Sequence, residues 1–183
     1  HILLTRQLQD SKDLIQKFKS NGFKVSNLPL LEISKVNYNA LKKNNFNAII
    51  FTSSNSIRFL DIKSIDKNII CFCVGSSTEK TARLNGFQQV YAADGNVRNL
   101  KELVQQNLSS RDNKVLYVSG EVVSYPLDKE LISEGYKVER LINYCAKHKE
   151  NLDLSFLKSL KNNIPDLVYV YSENSAKSFL KLY

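Results

Sequence analysis

Four clusters of hydroxyl, amide and glycine residues follow apolar runs: Thr52-Ser53-Ser54-Asn55, Gly75-Ser76-Ser77-Thr78, Ser119-Gly120-Glu121 and Ser172-Glu173-Asn174-Ser175. Side-chain oxygens at a helix start accept from the orphan N–H groups of the first turn, and N–H groups left free there suit anions. The chemistry open to such a set is therefore hydrogen bonding of an anionic ligand. Each hydroxyl could equally do no more than cap its own helix, and capping preference selects the same residues. Convergence of the clusters on one rim is what favours binding. Ser76 and Glu79 stand at capping-box spacing, and Gly75 allows close backbone approach to whatever lies above the strand end.

Other chemistries lack residues. No GxGxxG or GxxxxGK[ST] occurs, which weakens a flavin or nucleotide reading. Two histidines and three cysteines without a CxxC pair supply neither a zinc site nor a disulfide framework. Cys71 and Cys73 share one face of an apolar strand and read as buried structural thiols. A net charge of +8 attracts polyanions, but the lysines are scattered, with no basic run interleaved with aromatics. An acidic small molecule fits the charge as well as nucleic acid does. No apolar run approaches the roughly 20 residues that span a bilayer.

Each cluster needs a strand before it and a helix after it. Ala48 to Phe51 is the continuous apolar run of a parallel strand buried on both faces, and Ile57 and Leu60 continue at helical spacing. Ile2 to Leu4, Asn68 to Val74 and Lys114 to Val118 read as further strands. Leu14, Ile15 and Phe18 form one helix face; Leu154, Leu157 and Leu160 form another; Val97, Leu100, Leu103 and Val104 mark a third, entered from Gly95-Asn96. Helices stop at Asn21-Gly22-Phe23, Asn85-Gly86-Phe87 and Glu134-Gly135-Tyr136, glycine being the residue that enters a left-handed cap most easily. Leu30 to Val36 and Val138 to Cys145 read as extended connectors. The stretch from Asp166 repeats that from Asn47, with Phe51 on Val170, Ser53 on Ser172 and Asn55 on Asn174, so two related α/β domains with parallel sheets are expected.

Taken in order, ILLTR at Ile2 to Arg6, LPLLEI at Leu28 to Ile33, IIFTSSNSI at Ile49 to Ile57, VGSST at Val74 to Thr78 and NY at Asn143-Tyr144 resemble the uroporphyrinogen-III synthase family. The resemblance covers the whole chain. It implies an α/β fold of two flavodoxin-like three-layer domains with parallel sheets, joined by two extended crossover strands. The discontinuous outer domain would be 1–33 with 146–183, and the inserted domain 34–145. It further implies a cyclising hydro-lyase of haem biosynthesis that converts hydroxymethylbilane to uroporphyrinogen III, with loss of water and inversion of the last pyrrole ring. No metal or organic cofactor is implied. Neither nucleic acid nor a membrane is an expected partner. The expectation is a cytoplasmic monomer that takes its substrate by hand-over from the preceding pathway enzyme.

By the same resemblance Tyr144 aligns with the family's active-site tyrosine. With an ordinary pKa of about 10 it would stay protonated and could donate to the departing hydroxyl. Its alternative role is an aromatic packed between domains. The expected substrate contacts are Thr5, Arg6, Thr52, Ser53, Ser54, Gly75, Ser76, Thr78, Ser119, Gly120 and Ser172. The rival reading is a non-catalytic, hinge-type module that binds an anionic small molecule. Two small domains on two extended strands are expected to swing and to close on substrate. The split domain lacks a counterpart of Val74 to Thr78 and the sequence contains no Met, so the native polypeptide is expected to continue past Tyr183 by a strand, loop and helix.

Overall fold

The computed structural model describes residues 1–41, 46–94, 96–150 and 153–182. The chain opens with β1 (Ile2–Leu4), α1 (Leu8–Ser20), β2 (Val25–Asn27) and β3 (Leu31–Lys35). It continues through β4 (Ala48–Phe51), α2 (Ser54–Arg58), β5 (Ile70–Val74), α3 (Ser76–Leu84), β6 (Gln89–Ala93) and α4 (Val97–Asn107). It ends with β7 (Lys114–Gly120), α5 (Leu127–Ser133), β8 (Lys137–His148), α6 (Leu154–Asn162), β9 (Leu167–Tyr169) and α7 (Glu173–Leu182). Asn96 caps α4 by accepting from Arg98 and Asn99; Gly95 lies outside the described residues.

Two compact units result: His1–Ile33 with Ala146–Tyr183, called the split unit, and Ser34–Cys145, the inserted unit. A six-stranded sheet runs β3-β8-β7-β4-β5-β6, and a three-stranded sheet runs β2-β1-β9. The strand pairs β4 with β5, β4 with β7, β5 with β6 and β7 with β8 are all parallel. In the smaller sheet both β2 and β9 pair in parallel with β1.

The apolar run of β4 is explained by what covers it. Successive side chains of a strand point to opposite faces. Ala48 and Ile50 pack with Phe72, Tyr117, Leu100, Val104, Leu127 and Leu131, under α4 and α5. Ile49 and Phe51 pack with Cys71, Cys73, Val118, Ile57 and Ala82, under α2 and α3. Helices thus cover both faces, and a strand inside such a sheet has no polar side. Cys71 and Cys73 lie there as buried free thiols with sulfurs 3.8 Å apart. The neighbouring Cys73 thiol, followed by burial, pushes the Cys71 thiol well above its ordinary value, so neither feature favours a reactive thiolate.

The two units contain the same strand trio. Ile2 pairs with Val25 on β2 and Leu167 on β9; Val115 pairs with Val138 on β8 and Ala48 on β4. One constant residue offset relates β1, α1 and β2 to β7, α5 and β8. The same offset relates Gly22 to Gly135, both in the left-handed region at φ 82° and 95°, and carries past the strands. Lys149 N–H donates to the Leu30 carbonyl in the split unit, and Val36 N–H donates to the Asn143 carbonyl in the inserted unit, each at 2.9 Å.

Candidate active site

Because β4 lies between β5 and β7 and all three run parallel, the residues after them leave one edge of the inserted sheet. Open α/β sheets bind ligands at this carboxyl edge. Ser53 is extended, at φ −154°, and its hydroxyl accepts from Asn55 N–H, so it caps α2. The Thr52 hydroxyl lies 3.4 Å from that of Tyr117. Thr52 and Ser53 are half-buried, whereas Ser54 is buried. After β5, Gly75 takes φ 75° and occupies the cap position of α3.

This corrects the capping box expected for Ser76 and Glu79. The left-handed turn at Gly75 starts the helix one residue early, so Ser76 becomes its first helical residue and is exposed. The Glu79 carboxylate instead accepts from Arg83 at 3.0 Å. Thr78 is buried against the sheet. After β7, Ser119 is buried and its hydroxyl donates to the Gly120 carbonyl at 3.0 Å.

Tyr144 reaches the same edge through a break in the ladder. Strands β7 and β8 pair regularly up to Ser119 with Ile142, then Gly120 pairs with Tyr144, so Asn143 is skipped. A bulge of this kind turns a side chain away from its regular direction. The Tyr144 ring then lies against Gly120, where a Cβ would stand 2.7 Å from its Cζ. Burial raises the phenol above its ordinary 10.0, while the Ser53 hydroxyl and the Gly120 backbone N–H beside it act in the opposite direction. Burial also raises Tyr117, opposed first by the Thr52 hydroxyl and then by Arg140. A neutral phenol flanked by a hydroxyl and an N–H group can donate a proton across the whole neutral range.

Two residues outside the expected site set also build this neighbourhood, one of them from the Asn143-Tyr144 pair. Asn143 is fully buried, and its Nδ2 donates to the Ser56 carbonyl of α2 at 2.7 Å. Arg140 donates to the Ser119 hydroxyl and to the carbonyls of Gly120 and Glu121. The available signal was a polar residue in each case inside the apolar connector VERLINYC.

Three of the named residues belong to the split unit. Thr5 is buried and its hydroxyl donates to the Tyr169 carbonyl at 2.8 Å, bracing the residue after β1 to the end of β9. The Arg6 guanidinium stacks 5.0 Å from the Tyr171 ring centre. Ser172 is exposed and its hydroxyl accepts from Ser175 N–H at 3.1 Å, the capping role that Ser53 has in the other unit. Among the described residues no group of three His, Cys, Asp or Glu is placed to hold a metal ion, and no helix is long and apolar enough to cross a membrane.

Solved structures share this fold, two of them as follows. The uroporphyrinogen-III synthetase of Helicobacter pylori is 21% identical, with a TM-score of 0.64 over 100% of this chain and 78% of its own. A mutant uroporphyrinogen III synthase of Thermus thermophilus is 13% identical, with a TM-score of 0.61 over 98% of this chain and 76% of its own. No curated protein sequence matches the chain. The family model described as uroporphyrinogen-III synthase HemD matches residues 12–183. With that match spanning nearly every element, the chain belongs to the uroporphyrinogen-III synthase family, lyases of porphyrin biosynthesis.

Proposed function

We propose that Tyr144 is the proton donor for closing hydroxymethylbilane to uroporphyrinogen III. The observation that carries this is the half-buried, neutral phenol held between Ser53 and Gly120 at a carboxyl edge. Its proton goes to the departing hydroxyl, which leaves as water and creates a ring-stabilised cation. The cation bonds to the substituted carbon of the last pyrrole. The resulting spiro intermediate rearranges with that ring inverted, and the proton lost on rearomatisation restores the phenol. Because the linear substrate also closes unaided without inversion, holding one conformer is the enzyme's main contribution.

Its acetates and propionates meet hydroxyl and N–H donors. Thr52, Ser53, Ser76, Ser172 and the Arg6 guanidinium supply direct contacts. The buried Thr5, Ser54, Thr78 and Ser119, with Gly75 and Gly120, shape the loops that aim them. Two flavodoxin-like domains fit the strand orders: β2-β1-β9 follows 2-1-3, and β8-β7-β4-β5-β6 follows 2-1-3-4-5 when counted from β7. The protein acts as a cytoplasmic monomer supplied by the preceding enzyme. The deciding assay supplies enzymatically generated hydroxymethylbilane and separates the isomers. Type III product in excess over spontaneous type I supports the reading; type I alone from folded protein overturns it in favour of a binding module.

A further inference from the structure

We propose that Arg140 is a positioning residue for Tyr144, acting through the Gly120–Glu121 peptide. The inference deepens the reading of Tyr144 as proton donor and rests on it. The peptide is gripped from both sides. Arg140 Nη2 donates to the Gly120 carbonyl at 2.9 Å and to the Glu121 carbonyl at 3.1 Å. The N–H of the same peptide, on Glu121, donates to the Tyr144 carbonyl at 2.9 Å. Arg140 Nε donates to the Ser119 hydroxyl at 2.8 Å, and that hydroxyl in turn donates to the Gly120 carbonyl.

The register shift explains why a side chain is needed. A bulge between Ser119 and Gly120 interrupts the regular ladder. Arg140 stands on β8 opposite Tyr117, inside the sheet, and reaches along β7 to supply donors where the ladder fails. A planar fork can serve a hydroxyl and two carbonyls at once; an ammonium cannot hold that geometry. Nor is the guanidinium free to take a substrate carboxylate. Nε and Nη2 are engaged, and Nη1 faces the Asp128 carboxylate at 3.9 Å. Since Gly120 is the surface on which the Tyr144 ring rests, moving its carbonyl moves the ring.

Arg140→Gln and Arg140→Lys test this, each checked for folding by circular dichroism, with the Lys variant read where the Gln variant fails to fold. Both are expected to lower kcat about 10- to 100-fold while KM stays within about threefold. In a Tyr144→Phe background, Arg140→Gln should add no further loss. The 13Cζ resonance of Tyr144, assigned by its disappearance in Tyr144→Phe, should shift in both variants. Full activity with lysine, a rise in KM alone, additive losses or an unmoved resonance would each overturn the proposal. If Tyr144→Phe turns over normally, the proton-donor reading fails by itself, and the resonance still decides whether Arg140 places the ring.

Discussion

A methyl group on Gly120 would stand 2.7 Å from Cζ, 2.8 Å from Cε2 and 3.0 Å from the hydroxyl of Tyr144. Gly120 is not among the glycines with positive φ, so its backbone would accept any residue. The need for glycine comes from the ring alone. Gly120→Ala should therefore act as overpacking, with a stability loss of about 1–3 kcal/mol. Because the ring must give way, turnover should fall about 100-fold, the order expected when a reacting group is misplaced by roughly 1 Å. Thermal unfolding and turnover on the same sample check both. Unchanged values would show that the ring moves aside at no cost.

Tyr144→Phe keeps the ring against Gly120 and removes the proton. The expected outcome is a kcat about 10²- to 10⁴-fold lower with wild-type melting, the range for losing a general acid. Equal turnover would make the tyrosine a packing residue.

The direction of the two phenol shifts sets an alkaline limit. Burial raises both Tyr117 and Tyr144 above 10.0, so the folded chain holds these protons more tightly than the unfolded chain does. Their stabilisation is fully present below pH 10 and is lost as pH rises through the folded values. Unfolding monitored against pH should turn downward above about 10, and Tyr117→Phe should blunt the fall. An alkaline limb identical in that variant would assign the loss elsewhere.

Much of this arrangement can be read from local chemistry. Capping by Ser53 and Ser172 follows from residue type and position, as does the burial of Ala48 to Phe51 on both faces. Gly75 shows where local reading stops, because it takes the cap position itself and no side-chain capping box forms. Arg140 was not legible because its acceptors lie about 20 positions back along the chain and are mostly main-chain carbonyls, which carry no residue signature. The bulge that aims Tyr144 is likewise a property of strand register, and Asn143-Tyr144 as letters do not reveal it.

Helices α4 and α5 are joined by a charge cluster that should set the acid limit. Lys101 lies 2.8 Å from Glu130 and 3.0 Å from Glu134. Its hydrogen bonds hold both carboxyls below their ordinary 4.5. A depressed folded value contributes stability above the unfolded value and loses it as pH falls through the folded one. Acid unfolding should therefore set in below about 4.5 and become less steep in Lys101→Met. Raised salt should weaken the effect, since the groups are partly exposed. A variant with the same acid profile would exclude the cluster as its source.

The repeat makes a prediction about two glycines. Gly22 and Gly135 each end a helix of the repeated β-α-β segment, at φ 82° and 95°. Around Gly22 nothing lies within 4 Å of an added Cβ, and at Gly135 the nearest atom is the Arg111 Cβ at 3.8 Å, an ordinary contact. Any penalty for alanine must then come from backbone conformation, which for an L-residue in this region is about 1–2 kcal/mol. The two substitutions should cost the same despite their different surroundings. Asn85-Gly86-Phe87, the third turn of this type, has φ 93° and an equally ordinary contact at 3.8 Å, so Gly86→Ala serves as a control of the same backbone type outside the repeat. Urea unfolding of the three alanine variants reads the cost directly. Equal losses establish left-handed geometry as the requirement. A loss confined to Gly135 and Gly86, with none at Gly22, would point instead to the Arg111 and Lys67 side chains packed beside them.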